Sequence, residues 1–191
     1  MASLPAFLAV WTAMMALMMA PSAYPMVRLF AAVRHSRAAF GVRPAPVGAF
    51  VAGYLALWMA FGVPAYLLLQ AWPMTGARRV VQAGALLVAG VYQLTPWKAR
   101  CLGHCRAGSA FFLHTWRDGA AGAVVMGAHH GGYCVACCWG LMLVLLAFGA
   151  MSPVWMAAIA AVIFVEKVLP GGPRLGMALG AGAIVVALLR L

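Results

Sequence analysis

The sequence predicts an all-α, polytopic membrane bundle of about six transmembrane helices, forming a single domain over residues 1–191 with no soluble domain. Three observations point there. The chain is 66% hydrophobic and 8% charged, with mean hydropathy +1.00, more apolar surface than a water-soluble domain of this size needs. Several apolar runs reach or exceed the roughly 20 residues that span a bilayer core; in hydrocarbon their backbone groups must pair internally, so they are predicted as helices. The basic residues sit mostly in short segments between these runs, where the positive-inside rule puts them.

Residues 4–20 form the first predicted span. Ala20-Pro21-Ser22-Ala23 resembles a signal-peptide cleavage site, but no positively charged segment precedes the apolar run, so a retained helix is expected. Pro21 and Pro25 are expected to kink or end it. Met14, Met15, Met18 and Met19 are read mainly as flexible core filler, with a thioether ligand for Cu(I) as the alternative for one or two. Residues 27–46 read as a basic loop whose start can continue the first helix, and residues 47–70 as the second span, bent near Gly62 and Pro64. A turn is predicted at Pro73, Thr75 and Gly76. Residues 79–95 form the third span, ending in a polar-aromatic rim, Tyr92-Gln93-Leu94-Thr95-Pro96-Trp97.

Cys101 to Asp118 then read as a connection, with Phe111 to Trp116 as a short interfacial helix. Residues 119–149 are apolar but long for one span, either a single tilted helix or one broken at Gly131-Gly132. Residues 154–169 and 175–189 form the last two spans, separated by Pro170-Gly171-Gly172-Pro173. With the N-terminus outside, the predicted cytoplasmic connections hold Arg28, Arg34, Arg37, Arg43, Lys98, Arg100, Arg106, Arg117, Lys167 and Arg174, against Arg78, Arg79 and Arg190 on the other side. Both termini are therefore expected outside. The net charge of +11 is read as facing anionic lipid, not nucleic acid.

Chemistry is constrained by what the chain lacks. Asp118 and Glu166 are its two carboxylates, too few for a di-iron carboxylate centre or an oxygen-ligated Mg²⁺ or Ca²⁺ site. The remaining donors are Cys, Met and His, which suit copper as Cu(I), with zinc or iron as alternatives. All five cysteines and four of the five histidines lie between Cys101 and Cys138. A structural disulfide framework is not expected for cysteines placed in or inside the membrane.

On a helix through residues 126–138, Met126, His130, Cys134, Cys137 and Cys138 occupy about a third of the circumference, with His129 on a different side. Met126 and Cys138 stand about 18 Å apart along the axis, so one ion cannot take all five. A lone cysteine in such a helix is usually packing; a Cys-x-x-Cys-Cys run preceded one turn earlier by a histidine favours a site. Cys101 and Cys105 lie one turn apart if helical, and the flanking Arg100 and Arg106 are expected to favour their thiolates. His104 and His114 are the weakest ligand candidates. An Arg117–Asp118 pair is expected at the membrane entry, and Glu166 is expected to pair with Arg106 or Arg117, since an unpaired carboxylate there costs a few kcal/mol, roughly.

The runs CLGHCR, WRDGAAGAVVMGAHHGGYC and CCWGLM, with Glu166-Lys167 closing the next span, resemble a bacterial family of predicted metal-binding integral membrane proteins, a domain of unknown function. WTAMMALMMAPSAYP and YQLTPWK resemble further recurring segments of that family. Among the candidate residues, Cys101, Cys105, Arg106, Arg117, Met126, His130, Cys134, Cys137, Cys138 and Glu166 fall on its motif positions, whereas Ala107-Gly108 departs from the expected proline-containing stretch. The resemblance implies a metal-binding membrane protein. Together with the donor set it leads to the expectation of a multi-pass protein of the bacterial inner membrane that handles soft metal, copper first, by delivery or transfer, rather than an enzyme. A metal-donor or acceptor protein is the expected partner. The alternatives are a membrane thiol–disulfide oxidoreductase, an electron-transfer subunit, or a structural subunit of a larger membrane complex.

Overall fold

The computed structural model describes residues 3–38, 45–71, 78–149 and 152–190, and these are mostly helical with no strand among them. In chain order the helices are α1 (Leu4–Ala38), α2 (Val47–Gln70), α3 (Arg78–Gln93), α4 (Pro96–Arg106), α5 (Gly108–Thr115), α6 (Gly119–Gly149), α7 (Pro153–Val168) and α8 (Gly172–Leu188). Three of them, α1, α2 and α6, are long and apolar enough to cross a membrane. α3 and α7 have 16 residues and α8 has 17, about 24–26 Å at 1.5 Å per residue, short of a hydrocarbon core about 30 Å thick. The expected turn at Pro73, Thr75 and Gly76, and Arg43 with Pro44, lie outside the described residues.

One expectation changes, and one alternative left open by the sequence is decided. α1 does not end at its prolines but runs through Pro21 and Pro25 to Ala38, taking up much of the predicted basic loop. A proline deletes one backbone hydrogen bond without forbidding helix on either side, and apolar surroundings tolerate it; here the Ser22 hydroxyl donates to the Met19 carbonyl (3.0 Å). The decided alternative is α6, which is unbroken at Gly131-Gly132. Its glycines serve close packing instead, as described below.

The chain forms two compact units, residues 1–63 with 103–135, and residues 64–102 with 136–191. The first unit has an aromatic core. Phe30 of α1 stacks on Phe50 of α2 (4.7 Å between centroids) and on Trp116 (5.6 Å), and tilts against Phe112 of α5 (5.8 Å). Met26 and Met126 are buried in the same cluster. Further along α1, Trp11, Met14, Met15, Met18 and Met19 are all buried, the face that 100° spacing assigns them. Trp11 Nε1 donates to the Trp58 carbonyl (3.0 Å), giving a buried indole the partner it needs.

Glycine sets the distance between α2 and α6. A methyl at Gly53 would run into the Val124 carbonyl, and one at Gly127 into the Phe50 carbonyl. At Gly131 it would come within 3.2 Å of the Tyr54 carbonyl. Gly127 and Gly131 are four apart, the small-xxx-small spacing that lets apolar helices meet backbone to backbone.

The second unit is held by packing of α3 on α8, where a Cβ at Gly90 would lie 2.7 Å from the Gly180 carbonyl, and by one buried ion pair. Lys98 Nζ lies 2.7 Å from both carboxylate oxygens of Glu166. Gln93 Nε2 donates to Glu166 Oε1 (3.0 Å), and Lys98 Nζ donates to Gln93 Oε1. Lys98 and Glu166 are 3% and 2% exposed, so removing either partner strands a buried charge at a cost of about 3–5 kcal/mol. The ion pair shown for Glu166 is thus with Lys98 of α4, where the sequence pointed to Arg106 or Arg117.

Gly127→Val should destabilise the detergent-solubilised protein by on the order of 2 kcal/mol, because no side chain is at hand to yield to the new methyls. Gly84→Ala, where nothing lies within 4 Å, should leave thermal unfolding unchanged or raise its midpoint slightly. Equal melting temperatures for the two variants would contradict the close approach of α2 and α6.

Candidate metal centre

Buried soft donors lie in both units. In the first unit His130 and Cys134 lie one turn apart on α6, 4% and 1% exposed. Three rings surround the imidazole: Phe50 (6.2 Å, stacked), Tyr54 (5.8 Å, stacked) and Phe111 (5.8 Å, edge-on). The Tyr54 hydroxyl is 3.0 Å from Cys134 Sγ. Tyr54 and His130 also line a cavity of about 300 Å³ whose other wall is the alanine face of α1, Ala16, Ala20 and Ala23. A buried thiol and a buried imidazole on one helical face, beside open volume, can together offer sulfur and nitrogen to a soft ion.

In the second unit Cys137 and Cys138 are 2% and 1% exposed. Cys101 of α4 lies within electrostatic range of Cys137, and Tyr92 within range of Cys101, Cys137 and Cys138. Tyr92 is anchored by donating to the Ala136 carbonyl and by packing on Trp139 (4.6 Å). None of the five cysteines is in a disulfide. Burial is the main cause that pushes the Cys101 thiol above its ordinary value, and repulsion from Cys137 adds to it. The cationic neighbours Arg100 and Arg106 therefore do not prevail at Cys101: loss of hydration outweighs them.

Met126, the fifth residue of the predicted stripe, is 1% exposed in the aromatic core, and its Sδ accepts a hydrogen bond from the Arg117 backbone N–H (3.4 Å). That placement packs it against the Trp116–Gly119 turn. Gly119, at φ +78°, supplies the left-handed residue with which the turn enters α6. Asp118 accepts from Trp116 Nε1 (2.7 Å) and Arg37 lies over the Trp116 ring (5.2 Å), so this corner is tied down by tryptophan. Cys105 is half-buried. Its neighbour His104 stacks on Tyr133 (4.6 Å), whose ring also meets the exposed His129 (5.1 Å).

Among the described residues no three His, Cys, Asp or Glu side chains converge on one point. A tetrahedral zinc site with four protein ligands is therefore not assembled. Cu(I) is satisfied by as few as two soft donors, and such a pair fits this arrangement. Sequence reasoning missed Tyr54 and Phe50. The signal was available, since they stand one turn apart on α2 on either side of the packing glycine Gly53.

A thiol held above its ordinary value keeps its proton more tightly folded than unfolded. Its contribution to stability is complete below the unfolded value and is lost as pH rises through the folded one. Alkylation of Cys101 in the metal-free protein, followed by mass spectrometry against pH, should accordingly show a midpoint above that of an unstructured cysteine peptide. A midpoint at or below the peptide's would contradict this reading.

No curated protein and no solved structure matches the chain. A family model described as PpoB2, copper chaperone, matches residues 8–190. That range takes in both donor groups, the Lys98–Glu166 pair and the glycine contact of α2 with α6, and the chain belongs to the PpoB2 copper chaperone family.

Proposed function

We propose that this protein is a membrane-embedded chaperone for Cu(I), with copper as cargo and not as a resident cofactor. The observation that carries the reading is the buried His130–Cys134 pair beside an apolar cavity, in a chain of a copper chaperone family. Cys101 and Cys105 of α4 receive or release the ion at the cytoplasmic face. His130 and Cys134 hold it in one unit, and Cys137 and Cys138, with Cys101 beside Cys137, hold it in the other. Binding displaces thiol protons, so loading releases protons and weakens as pH falls. With few donors around each ion, exchange to a stronger acceptor needs few bonds broken, which suits delivery.

The chain sits in the bacterial inner membrane as a six-span bundle with both termini outside, α3, α7 and α8 completing the set begun by α1, α2 and α6, with the bilayer thinning to meet their shorter length. The apolar length of the three long helices supports membrane embedding, and the skewed placement of Arg and Lys supports the orientation. A metal-donor or acceptor protein meets the α4–α5 side. Thiol–disulfide exchange is the weaker reading, because the family to which the chain belongs is described as a copper chaperone.

Metal analysis of detergent-purified protein loaded anaerobically with Cu(I) tests the proposal. The wild type should retain copper. His130→Ala with Cys134→Ser should remove one share of it, and Cys101→Ser with Cys137→Ser another. Copper content unchanged in both double variants would refute the assignment, and stoichiometric zinc in its place would refute the cargo.

A further inference from the structure

We infer that Tyr54 is a positioning residue for the copper-binding pair, supporting the Cys134 thiolate and orienting His130 without itself ligating the ion. The inference rests on the reading of His130 and Cys134 as cargo ligands. The sequence marks this tyrosine only by its place one turn from Phe50 and next to Gly53. Its role emerges from the way α2 and α6 meet.

Three contacts define it. The hydroxyl lies 3.0 Å from Cys134 Sγ, across 80 residues of sequence. The ring stacks on the His130 imidazole with centroids 5.8 Å apart and planes 27° apart. The same ring forms part of the cavity wall beside His130. Tyr54 therefore touches both donors and the space from which an ion would reach them. It is 5% exposed and has little freedom to leave: Gly53 before it abuts the Val124 backbone, and its own carbonyl faces Gly131.

The chemistry assigns the donor. In the metal-free thiol either atom can supply the proton. Once a metal has displaced the Cys134 proton, sulfur can only accept, and the phenolic O–H is the group beside it that can donate. A thiolate on a metal keeps lone pairs for such a bond. A tyrosine hydroxyl gives it without adding charge, since it stays protonated at neutral pH. Partners of this kind fix the geometry of a ligand and tune its basicity. The phenol is a hard oxygen donor, poorly matched to Cu(I), which is why the hydroxyl acts through sulfur and not on the ion.

The test is an anaerobic competition titration of the full detergent-solubilised chain against the Cu(I) chelator bicinchoninate, for wild type, Tyr54→Phe, His130→Ala and Cys134→Ser. Tyr54→Phe keeps the ring on His130 and deletes only the hydroxyl. It should bind the same number of copper ions with affinity reduced about 10-fold or more. Its ultraviolet thiolate-to-copper absorption should move to longer wavelength, because a sulfur that loses a hydrogen bond gives up its electrons more easily. A residue that serves packing alone would change the melting temperature of the metal-free protein and neither of these. If Cys134→Ser loses copper while Tyr54→Phe matches the wild type in affinity and spectrum, or binds more tightly, the role of Tyr54 is overturned and the site stands. If Cys134→Ser and His130→Ala leave copper binding unchanged, the site itself fails, and the role of Tyr54 with it.

Discussion

The contact of α2 with α6 through Gly53, Gly127 and Gly131 is the constraint on which the His130 environment depends. No side chain separates the two backbones there, so the residues next to the glycines are brought within reach of each other. Phe50 and Tyr54 flank Gly53, while His130 lies between Gly127 and Gly131 and Cys134 one turn beyond. Small residues let two apolar helices approach until close van der Waals packing holds them together. Its by-product is chemical. An imidazole and a thiol that would be costly to bury alone are covered by rings and by a hydroxyl.

The second unit solves a related problem with charge. Glu166 is one of only two acidic residues, and it is buried where a carboxylate needs several hydrogen bonds. Lys98 and Gln93 provide them. Gly176 of α8 makes room, since a methyl there would collide with the carboxylate. Lys98 is three residues before Cys101 on α4. The ion pair therefore fixes the helix that carries Cys101 within range of Cys137. A buried pair contributes little net stability compared with apolar packing, but it specifies one arrangement because breaking it is expensive.

Helical class and most element positions were legible because they rest on hydropathy and length. The predicted second span and α2 share the bounds 47–70, and the burial of the stripe from Met126 to Cys138 follows from 3.6 residues per turn. What the sequence hid was non-local. Pro21 and Pro25 look like stops, yet α1 continues, because a missing hydrogen bond is compensated by surroundings that a local reading does not contain. Gly131-Gly132 looks like a break in α6 when read alone, and becomes a packing surface once α2 is beside it. Glu166 was seen as needing a cation, but charge alone did not choose among the basic residues; the meeting of α4 and α7 did. Tyr54 went unremarked for the same reason, since its partner lies 80 residues away.

The claim at the centre of this account is that buried cysteine sulfur and the His130 imidazole hold copper inside the helical protein. Copper K-edge X-ray absorption of the Cu(I)-loaded wild type, beside Cys134→Ser, addresses it most directly. The account predicts a low-coordinate Cu(I) edge with sulfur and imidazole nitrogen around the ion, and a fall in the sulfur contribution in the variant. A shell of oxygen and nitrogen alone, identical in both proteins, would contradict it and place the copper elsewhere.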